Sequence, residues 1–466
     1  MKRIAIILAV FLPLWGCQAK KSLVRPALED DGAIYLYIAP LSQEAGRLSF
    51  RIGGISALRE DGAEFPMVLS LTDVNRIEVT KERMIASGTL PPGRYAGIAF
   101  KIESASLKGE EGEAVVLVPS EATRTVIPFT VGRKRGTVLK LSYRYQDSLH
   151  GGFRISPVFD IDIPGKIPSG LIGYASSRDS NTVTIFDKLT GHVISVVPTG
   201  TAPSGLALDR RKAKLYVALS GEDAVEVIDV LTGEVDNRLH LAGGDYPREL
   251  ALTPDGGKLL SVNVGSNTVS VINTASLIEV LRINVGKGPE SLQIDQNGRR
   301  AYILNRLSNS VSVIDLPSQQ VAATISTDSE PVSGGFNRDG SRFYVAHRSS
   351  PYLYVINPFS FSIINKIRVG TGATALKVDH QNNWIYLARQ HTGKIDIYDP
   401  FSFLPIDFIA VPGEVAFMAI DGEGNSLFLV LPGEKTVKGI RLVSKEAFAE
   451  IEVGEEPFRV TIMGER

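Results

Sequence analysis

The residues of this chain that could do chemistry are cationic side chains that recur about every 42 positions in its second half, with carboxylates between them. The set is Arg306, His347, Arg348, Arg389 and His391, together with Glu290 and Glu330. Guanidinium groups bind carboxylate or phosphate through paired hydrogen bonds, so this cationic arc predicts a binding site for an anionic ligand. The alternative is a solvated surface on which the charges pair only with one another, since exposed ion pairs contribute little.

Motifs for catalysis and for cofactors are missing from the sequence. Cys17 is the sole cysteine, which excludes Cys-x-x-Cys-His haem attachment and cysteine-based metal sites. A Walker phosphate loop and a Gly-x-Ser-x-Gly nucleophile elbow are also absent. Asp160 and Asp162 alternate along one strand and could form half of a calcium site, although a solvated strand face is the simpler interpretation. We therefore predict no catalytic residue, no metal and no cofactor.

The elements that must position the cationic arc follow from an internal repeat. Seven segments have the same pattern, an alternating strand followed by a turn. They are 182–187, 224–229, 268–273, 310–315, 352–357, 394–399 and 436–441. Their last residues are 42, 44, 42, 42, 42 and 42 positions apart. A period of this length, filled with short strands and turn residues, predicts an all-β, seven-bladed β-propeller with four strands in each blade.

The repeat also predicts where the cationic arc lies. In a propeller, the loops between second and third strands share one rim with the loops that lead into the inner strands. Aligned by the repeat, Asn305, His347 and Arg389 occupy equivalent positions on that rim. The same alignment adds Arg178, Arg248, Glu249, Glu414, Glu455 and Glu456 to the rim.

The two ends of the repeat are incomplete in a complementary way. Leu171 to Ala175 reads as a second strand with no inner strand before it, whereas Pro457 to Met463 reads as an inner strand with nothing after it. Pairing the two would complete one composite blade and leave no open sheet edge. The sequence therefore predicts closure of the ring by the C-terminal strand.

The repeat resembles the YVTN-repeat (YncE-like) propellers of bacterial and archaeal envelope proteins. The resemblance is carried by 261–263 with 269–273 and by 302–305 with 311–315, which read close to Tyr-Val-Thr-Asn and Val-Ser-Val-Ile-Asp. It covers about residues 167–466 and implies the propeller fold for that range. It does not imply one function, because propellers host catalysis, ligand binding and scaffolding.

Residues 33–165 lack the period and are predicted to form a separate β-sandwich domain. Alternating apolar segments mark its candidate strands. The candidates are 33–38, 47–52, 76–80, 95–102, 114–118, 125–131 and 138–143. The segment Leu90-Pro-Pro-Gly-Arg-Tyr95 resembles an uncharacterised domain near the N-terminus of bacterial lipoproteins, which implies a location but no activity.

The N-terminus predicts a secreted, lipid-anchored protein. Lys2 and Arg3 precede an apolar stretch that is too short to span a bilayer, as in a signal peptide covering residues 1–16. The following Leu14-Trp-Gly-Cys17 resembles the lipobox of bacterial lipoproteins, which implies lipidation of Cys17. Residues 17–32 read as a polar tether. Gln18 after the cysteine favours the outer membrane of the cell envelope, facing either the periplasm or the cell surface.

Charge and composition leave three functional hypotheses. The formal net charge of −1 does not favour nucleic acid as a partner. The first hypothesis is a lipid-anchored, monomeric binding or scaffold protein whose propeller rim takes a protein, a glycan or a small anion. The second is a hydrolase like the seven-bladed lactonases, with rim His, Arg and Glu as acid and base. The third is a redox propeller with a non-covalent cofactor.

Overall fold

The computed structural model of the chain describes residues 30–109, 112–165 and 170–465. The predicted signal peptide, the lipidation of Cys17 and most of the predicted tether lie outside these ranges. The first strand begins at Gly32, which is the last residue of the predicted tether. Among the described residues, no helix has the length and apolarity that a membrane crossing needs.

The N-terminal part is a β-sandwich. Its strands are β1 Gly32–Ile38, β2 Leu48–Arg59, β3 Glu64–Pro66, β4 Val68–Leu69, β5 Asp73–Val74, β6 Arg83–Leu90, β7 Gly93–Lys108, β8 Glu113–Val116, β9 Thr123–Val131, β10 Gly136–Tyr143, β11 Leu149–His150, β12 Arg154–Ile155 and β13 Phe159–Asp162. One sheet has the order β13-β10-β1-β6-β4; the other has the order β3-β2-β7-β8, with β5 on β2 and β9 on β7. Short helical turns of the sandwich lie at Glu44–Arg47 and Tyr145–Ser148, and a third, Pro432–Glu434, belongs to the propeller.

The sandwich is held by apolar side chains that alternate along the strands of both sheets. Ile34 and Leu36 of β1 are fully buried, as are Ile98 and Phe100 of β7, and all four belong to one core. The rings of Phe100 and Phe159 pack 4.7 Å apart between centroids. Burial of side chains from two facing sheets in one core is the defining feature of a sandwich.

One strand predicted in the sandwich is wrong. Residues 76–80 form a turn, and the strand of this region is β6, which starts at Arg83. The side chain of Asn75 explains the difference, because its Oδ1 accepts hydrogen bonds from the backbone N–H groups of Ile77 and Glu78 at 2.9 and 3.0 Å. An Asn that closes such a local turn competes with strand pairing. The alternating side chain of Ile77 is consequently 87% exposed.

The C-terminal part is the propeller, and its strands follow the predicted repeat. They are β14 Ile172–Ser177, β15 Thr182–Asp187, β16 Val193–Pro198, β17 Pro203–Asp209, β18 Lys214–Leu219, β19 Ala224–Asp229, β20 Glu234–His240, β21 Pro247–Leu252, β22 Lys258–Asn263, β23 Thr268–Asn273, β24 Ile278–Asn284, β25 Pro289–Ile294, β26 Arg300–Asn305, β27 Ser310–Asp315, β28 Gln320–Ser326, β29 Pro331–Phe336, β30 Phe343–His347, β31 Tyr352–Ile356, β32 Ile363–Arg368, β33 Ala373–Val378, β34 Ile385–Arg389, β35 Lys394–Tyr398, β36 Pro405–Ala410, β37 Phe417–Asp421, β38 Ser426–Leu431, β39 Thr436–Arg441, β40 Ala447–Glu452 and β41 Pro457–Ile462.

Within residues 170–465 these strands form seven four-stranded sheets, which are the seven blades. Six of the blades are continuous in sequence. The remaining blade is composite, with the order β16-β15-β14-β41. Its inner strand pairs antiparallel with β14, and Ala175 lies opposite Val460. The seven-bladed propeller closed by its C-terminal strand, preceded by a sandwich, is thus confirmed.

The sandwich packs on the propeller where the ring is closed. Ala33, Tyr35 and Tyr37 of β1 share a core with residues of β16 in the composite blade and of β40 in the last blade. Ion pairs of Lys81 with Glu450 and of Arg83 with Glu452 flank this core. The outer strands of two neighbouring blades are therefore covered by the sandwich.

Candidate functional site: the central cavity and its rim

The inner strands of the blades enclose a cavity of about 750 Å³ along the propeller axis. Its volume is within the range of sites for small organic ligands. Because every inner strand runs from the rim inward, the first residues of these strands lie at the mouth and the last at the opposite end. Arg248 and Phe458 are thus at the mouth, whereas His380 and Glu465 are at the far end.

Backbone hydrogen bonds build the mouth as the repeat predicts. The N–H of Arg178 donates to the carbonyl of Glu456 at 3.0 Å, and the N–H of Arg348 donates to the carbonyl of Glu330 at 2.9 Å. Each bond joins a loop between second and third strands to a loop that leads into an inner strand. Side chains from both kinds of loop therefore meet at one rim.

Two arginines on one side of the mouth share an aromatic ring. The guanidinium carbons of Arg178 and Arg248 lie 5.5 and 4.9 Å from the ring centre of Phe458, within the range of cation–π attraction. Burial, together with the charge of Arg248, lowers the pKa of Arg178. The negative charges of Glu456 and Asp179 oppose this shift. The Arg248 Nη2 donates to Oε1 of Glu290 at 2.8 Å.

Arg348 lies elsewhere on the cavity wall and, like Arg178, forms no short ion pair with a described carboxylate. Within the described ranges, no carboxylate oxygen comes within 4.0 Å of either guanidinium group. The Nε atoms of Arg178, Arg248 and Arg348 are buried and have no hydrogen-bond partner in this part of the chain. Buried donors without partners are unfavourable, so the mouth is a surface that an acceptor-rich anion would stabilise.

The structure separates the remaining members of the cationic arc. Arg306 lies between Glu290 and Glu330, with nitrogen–oxygen distances of 2.7 and 3.0 Å, so its charge is already neutralised. The Arg389 Nη2 donates to Asp396 at 2.5 Å within its own blade. These two arginines are therefore paired with neighbouring carboxylates, as in the alternative interpretation of the arc. Glu290 and Arg348 are the members of the arc that line the cavity.

The two histidines of the arc do not face the cavity. His347 is 1% exposed, and its ring packs 4.7 Å from the ring of Tyr354. Its Nδ1 is 2.9 Å from the carbonyl oxygen of Tyr352, and burial lowers its pKa. His391 is exposed on a loop, where its backbone has a φ of 58°. Neither ring is placed to touch a ligand within the cavity.

A chain of charged side chains inside the cavity was not predicted as a site. Arg459 Nη1 donates to Glu249 Oε2 at 2.7 Å, and its guanidinium carbon is 3.7 Å from the ring centre of Phe417. Glu465 accepts from Lys377 Nζ at 2.8 Å. Burial raises the pKa of Glu249 to about 7, although the charges of Arg459 and Arg248 oppose this shift. Burial likewise acts to raise the pKa of Glu465, but Lys377 and Arg459 outweigh it and lower that pKa.

The repeat contained a signal for this chain of charges. Aligned by blade, one inner-strand position reads Gly205, Glu249, Ser291, Ser333, Ala375, Phe417 and Arg459. The two charged members of this set come from blades on either side of the blade with Gly205. A Cβ at Gly205 would lie 2.8 Å from the Cα of Glu249, so the glycine allows a close approach of neighbouring inner strands. Comparing this inner-strand position across the blades would have predicted that Glu249 and Arg459 lie close together.

Metal binding gains no support from the side chains. In the ranges 30–109, 112–165 and 170–465, no group of three His, Cys, Asp or Glu residues is arranged to hold a metal ion. Asp160 and Asp162 are both exposed, and Asp160 lies 3.5 Å from Arg144. Asp160 and Asp162 therefore lie on a solvated strand face.

Comparison with solved structures finds propellers of similar fold. Hydrazine synthase of Kuenenia stuttgartiensis aligns with a TM-score of 0.54 and 18% identity, over 60% of this chain and 97% of that chain. Dihydro-heme d1 dehydrogenase NirN in complex with DHE has a TM-score of 0.52 and 14% identity, over 64% and 77%. A functionally unknown protein of Desulfotomaculum acetoxidans has a TM-score of 0.55 and 13% identity, over 62% and 98%. Identities this low show the fold alone.

A comparison with curated protein sequences finds no match. The family whose pattern does match is described as YNCE-like beta-propeller, and the match spans residues 175–383. These residues include the blades that carry most of the rim residues discussed above. Residues 175–383 of this chain are therefore similar to a YNCE-like β-propeller.

Proposed function

We propose that this protein is a lipid-anchored binding protein of the bacterial cell envelope whose propeller cavity takes an oxyanion. The ligand class is a carboxylate, sulfate or phosphate group, carried by a small molecule or by a glycan. The observation that carries the proposal is the pair Arg178 and Arg348. Both line a cavity of about 750 Å³, and neither has a carboxylate within 4.0 Å in the described residues.

The arrangement of these arginines favours recognition of an anion. Guanidinium groups are planar and donate along several directions, so an oxyanion can accept more than one hydrogen bond from such a group. The face of Phe458 fixes the position of Arg178 and Arg248. Ordering of the receptor side chains before binding reduces the entropy that the complex loses.

Calorimetric titration at low salt tests the proposal, because ionic strength screens such a site. The ligands are sulfate, phosphate and glucuronate, and the variants are Arg178→Gln and Arg348→Gln. Each variant is expected to bind about tenfold or more weakly, since a hydrogen bond to a charged group contributes about 1.5–3 kcal/mol. The matched control is Arg368→Gln, on an exposed outer strand. Equal affinity of all four proteins, or no binding by the wild type, would overturn the proposal.

The anchor and the location are a separate part of the proposal. They are supported by the basic residues and apolar stretch that precede Cys17, and by Gln18 after it. Fractionation of the native host is expected to recover the wild type with outer membranes and the Cys17→Ser variant in the soluble fraction. Mass spectrometry should find an acylated N-terminal peptide beginning at Cys17. An unmodified Cys17 would contradict lipidation while leaving the cavity proposal intact.

A further inference from the structure

Glu249 has one carboxylate oxygen that the protein itself does not satisfy. The side chain is 4% exposed and belongs to the cavity wall. Its Oε2 accepts from Arg459, whereas its Oε1 is buried and finds no hydrogen-bond partner among the described residues. An ionised carboxylate in this place would leave a buried acceptor unsatisfied, which is costly.

The charges around Glu249 come from three directions. Arg459 approaches from the inner strand of the composite blade and is fixed against Phe417. Arg248, the preceding residue, extends to the mouth and bonds Glu290. Glu465 contributes a negative charge from the far end, where Lys377 and the hydroxyl of Thr461 bind it at 2.8 and 2.9 Å.

These neighbours do not outweigh burial. Burial raises the pKa of Glu249 to about 7, even with two arginines nearby. At neutral pH the side chain therefore exists in both protonation states. The neutral acid carries an O–H group, which converts the unsatisfied acceptor at the cavity wall into a hydrogen-bond donor.

We propose that Glu249 is a binding residue that donates a hydrogen bond from its protonated carboxyl group to the oxyanion, so that the cavity binds the anion together with a proton. This inference rests on the proposed function of the cavity. The physical reason is that an anion near a carboxyl group favours its neutral form, and coupling between two ligands is reciprocal. Bound anion therefore holds the proton on Glu249, and the proton strengthens binding of the anion.

The test is calorimetric titration of sulfate at pH 5.5 and pH 8.5, since sulfate does not itself titrate between these values. The affinity of the wild type is expected to fall by about tenfold or more at the higher pH, as Glu249 loses its proton. Glu249→Gln should bind with similar affinity at both pH values, because its amide N–H replaces the O–H as a donor. Glu446→Gln, at an exposed turn, is the control and should keep the dependence of the wild type.

A second measurement uses the wild type alone and does not depend on folding of a variant. Titration at pH 7.5 in two buffers with different heats of ionisation should show net uptake of protons on binding. Sulfate binding with no pH dependence and no proton uptake would overturn the role of Glu249 and leave the anion site standing. Persistence of the pH dependence in Glu249→Gln would assign it to another group and also overturn the inference. Absence of sulfate binding at both pH values would remove the proposed function and this inference together.

Discussion

His347 and Arg348 show how the direction of a side chain determines what it can contact. They are neighbours in sequence, and the repeat places both on the rim. His347 is the last residue of β30, so its ring turns into the blade, whereas Arg348 begins the loop and reaches the cavity. The direction of one side chain relative to its strand thus separates a residue that packs in the blade from one that lines the cavity.

His347 is expected to contribute to stability. His347→Ala should lower the free energy of unfolding by about 2 kcal/mol, because it removes a buried ring and leaves a cavity. The exposed His391→Ala is the matched control and should cause little change. Urea denaturation measures both. A His347→Ala variant that is as stable as the wild type but binds no sulfate would contradict this role.

The same ring gives the stability a pH dependence with a defined sign. Burial lowers the pKa of His347 below its ordinary value of 6.5, so the folded chain keeps the ring neutral where the unfolded chain takes up a proton. The stability from His347 is therefore present above pH 6.5 and is lost as the pH falls toward the lowered pKa. The difference between wild type and His347→Ala should shrink over that acidic window.

The strands of the propeller could be predicted from the sequence because their pattern repeats. Each strand of the propeller is short, but its pattern recurs in neighbouring blades, and this recurrence also predicted the pairing of β14 with β41. The sandwich offered no such recurrence, and the local hydrogen bonds of Asn75 overrode the alternation of residues 76–80. The repeat located the rim, but it did not show that Arg306 pairs with Glu330 or that Arg459 reaches Glu249, because those contacts cross between blades.

The closing strand is expected to be necessary for stability. Val460 of β41 is 1% exposed and belongs to the core that joins the composite blade to the sandwich. Val460→Ala should lower the free energy of unfolding by about 2 kcal/mol through the cavity that it leaves. Val443→Ala removes the same atoms from a side chain that is 81% exposed and should have little effect. Thermal unfolding of the two variants compares them, and equal melting temperatures would contradict the role of this strand.

At the scale of the whole molecule, the sandwich fixes the closed ring from outside. Glu82 of the sandwich is 8% exposed and accepts from the backbone N–H of Val193 at 2.8 Å. It also lies 3.0 Å from both Lys140 Nζ and His192 Nδ1. Burial acts to raise the pKa of Glu82, but the His192 hydrogen bond and the charge of Lys140 outweigh it and lower the pKa. The contact is therefore strongest above the ordinary carboxyl pKa and is lost as the pH falls through the lowered value.

Removal of Glu82 should loosen this junction. Glu82→Ala leaves Lys140 without its partner in a largely buried setting, so we expect a loss of about 2 kcal/mol of unfolding free energy. Glu64→Ala removes an exposed ion pair with Arg124 and should cost less than about 1 kcal/mol. Urea denaturation followed by circular dichroism measures both. Equal stability of the two variants would show that the sandwich does not support the ring.

A crystal structure with selenate would show whether the propeller cavity binds an oxyanion through Arg178 and Arg348. Selenate has the shape and charge of sulfate, and the anomalous scattering of selenium locates it without ambiguity. We expect an anomalous peak inside the cavity within hydrogen-bonding distance of Arg178 or Arg348, and loss of that peak in the double variant with both arginines changed to Gln. Selenate bound only on the outer surface, with the cavity free of it, would contradict the claim.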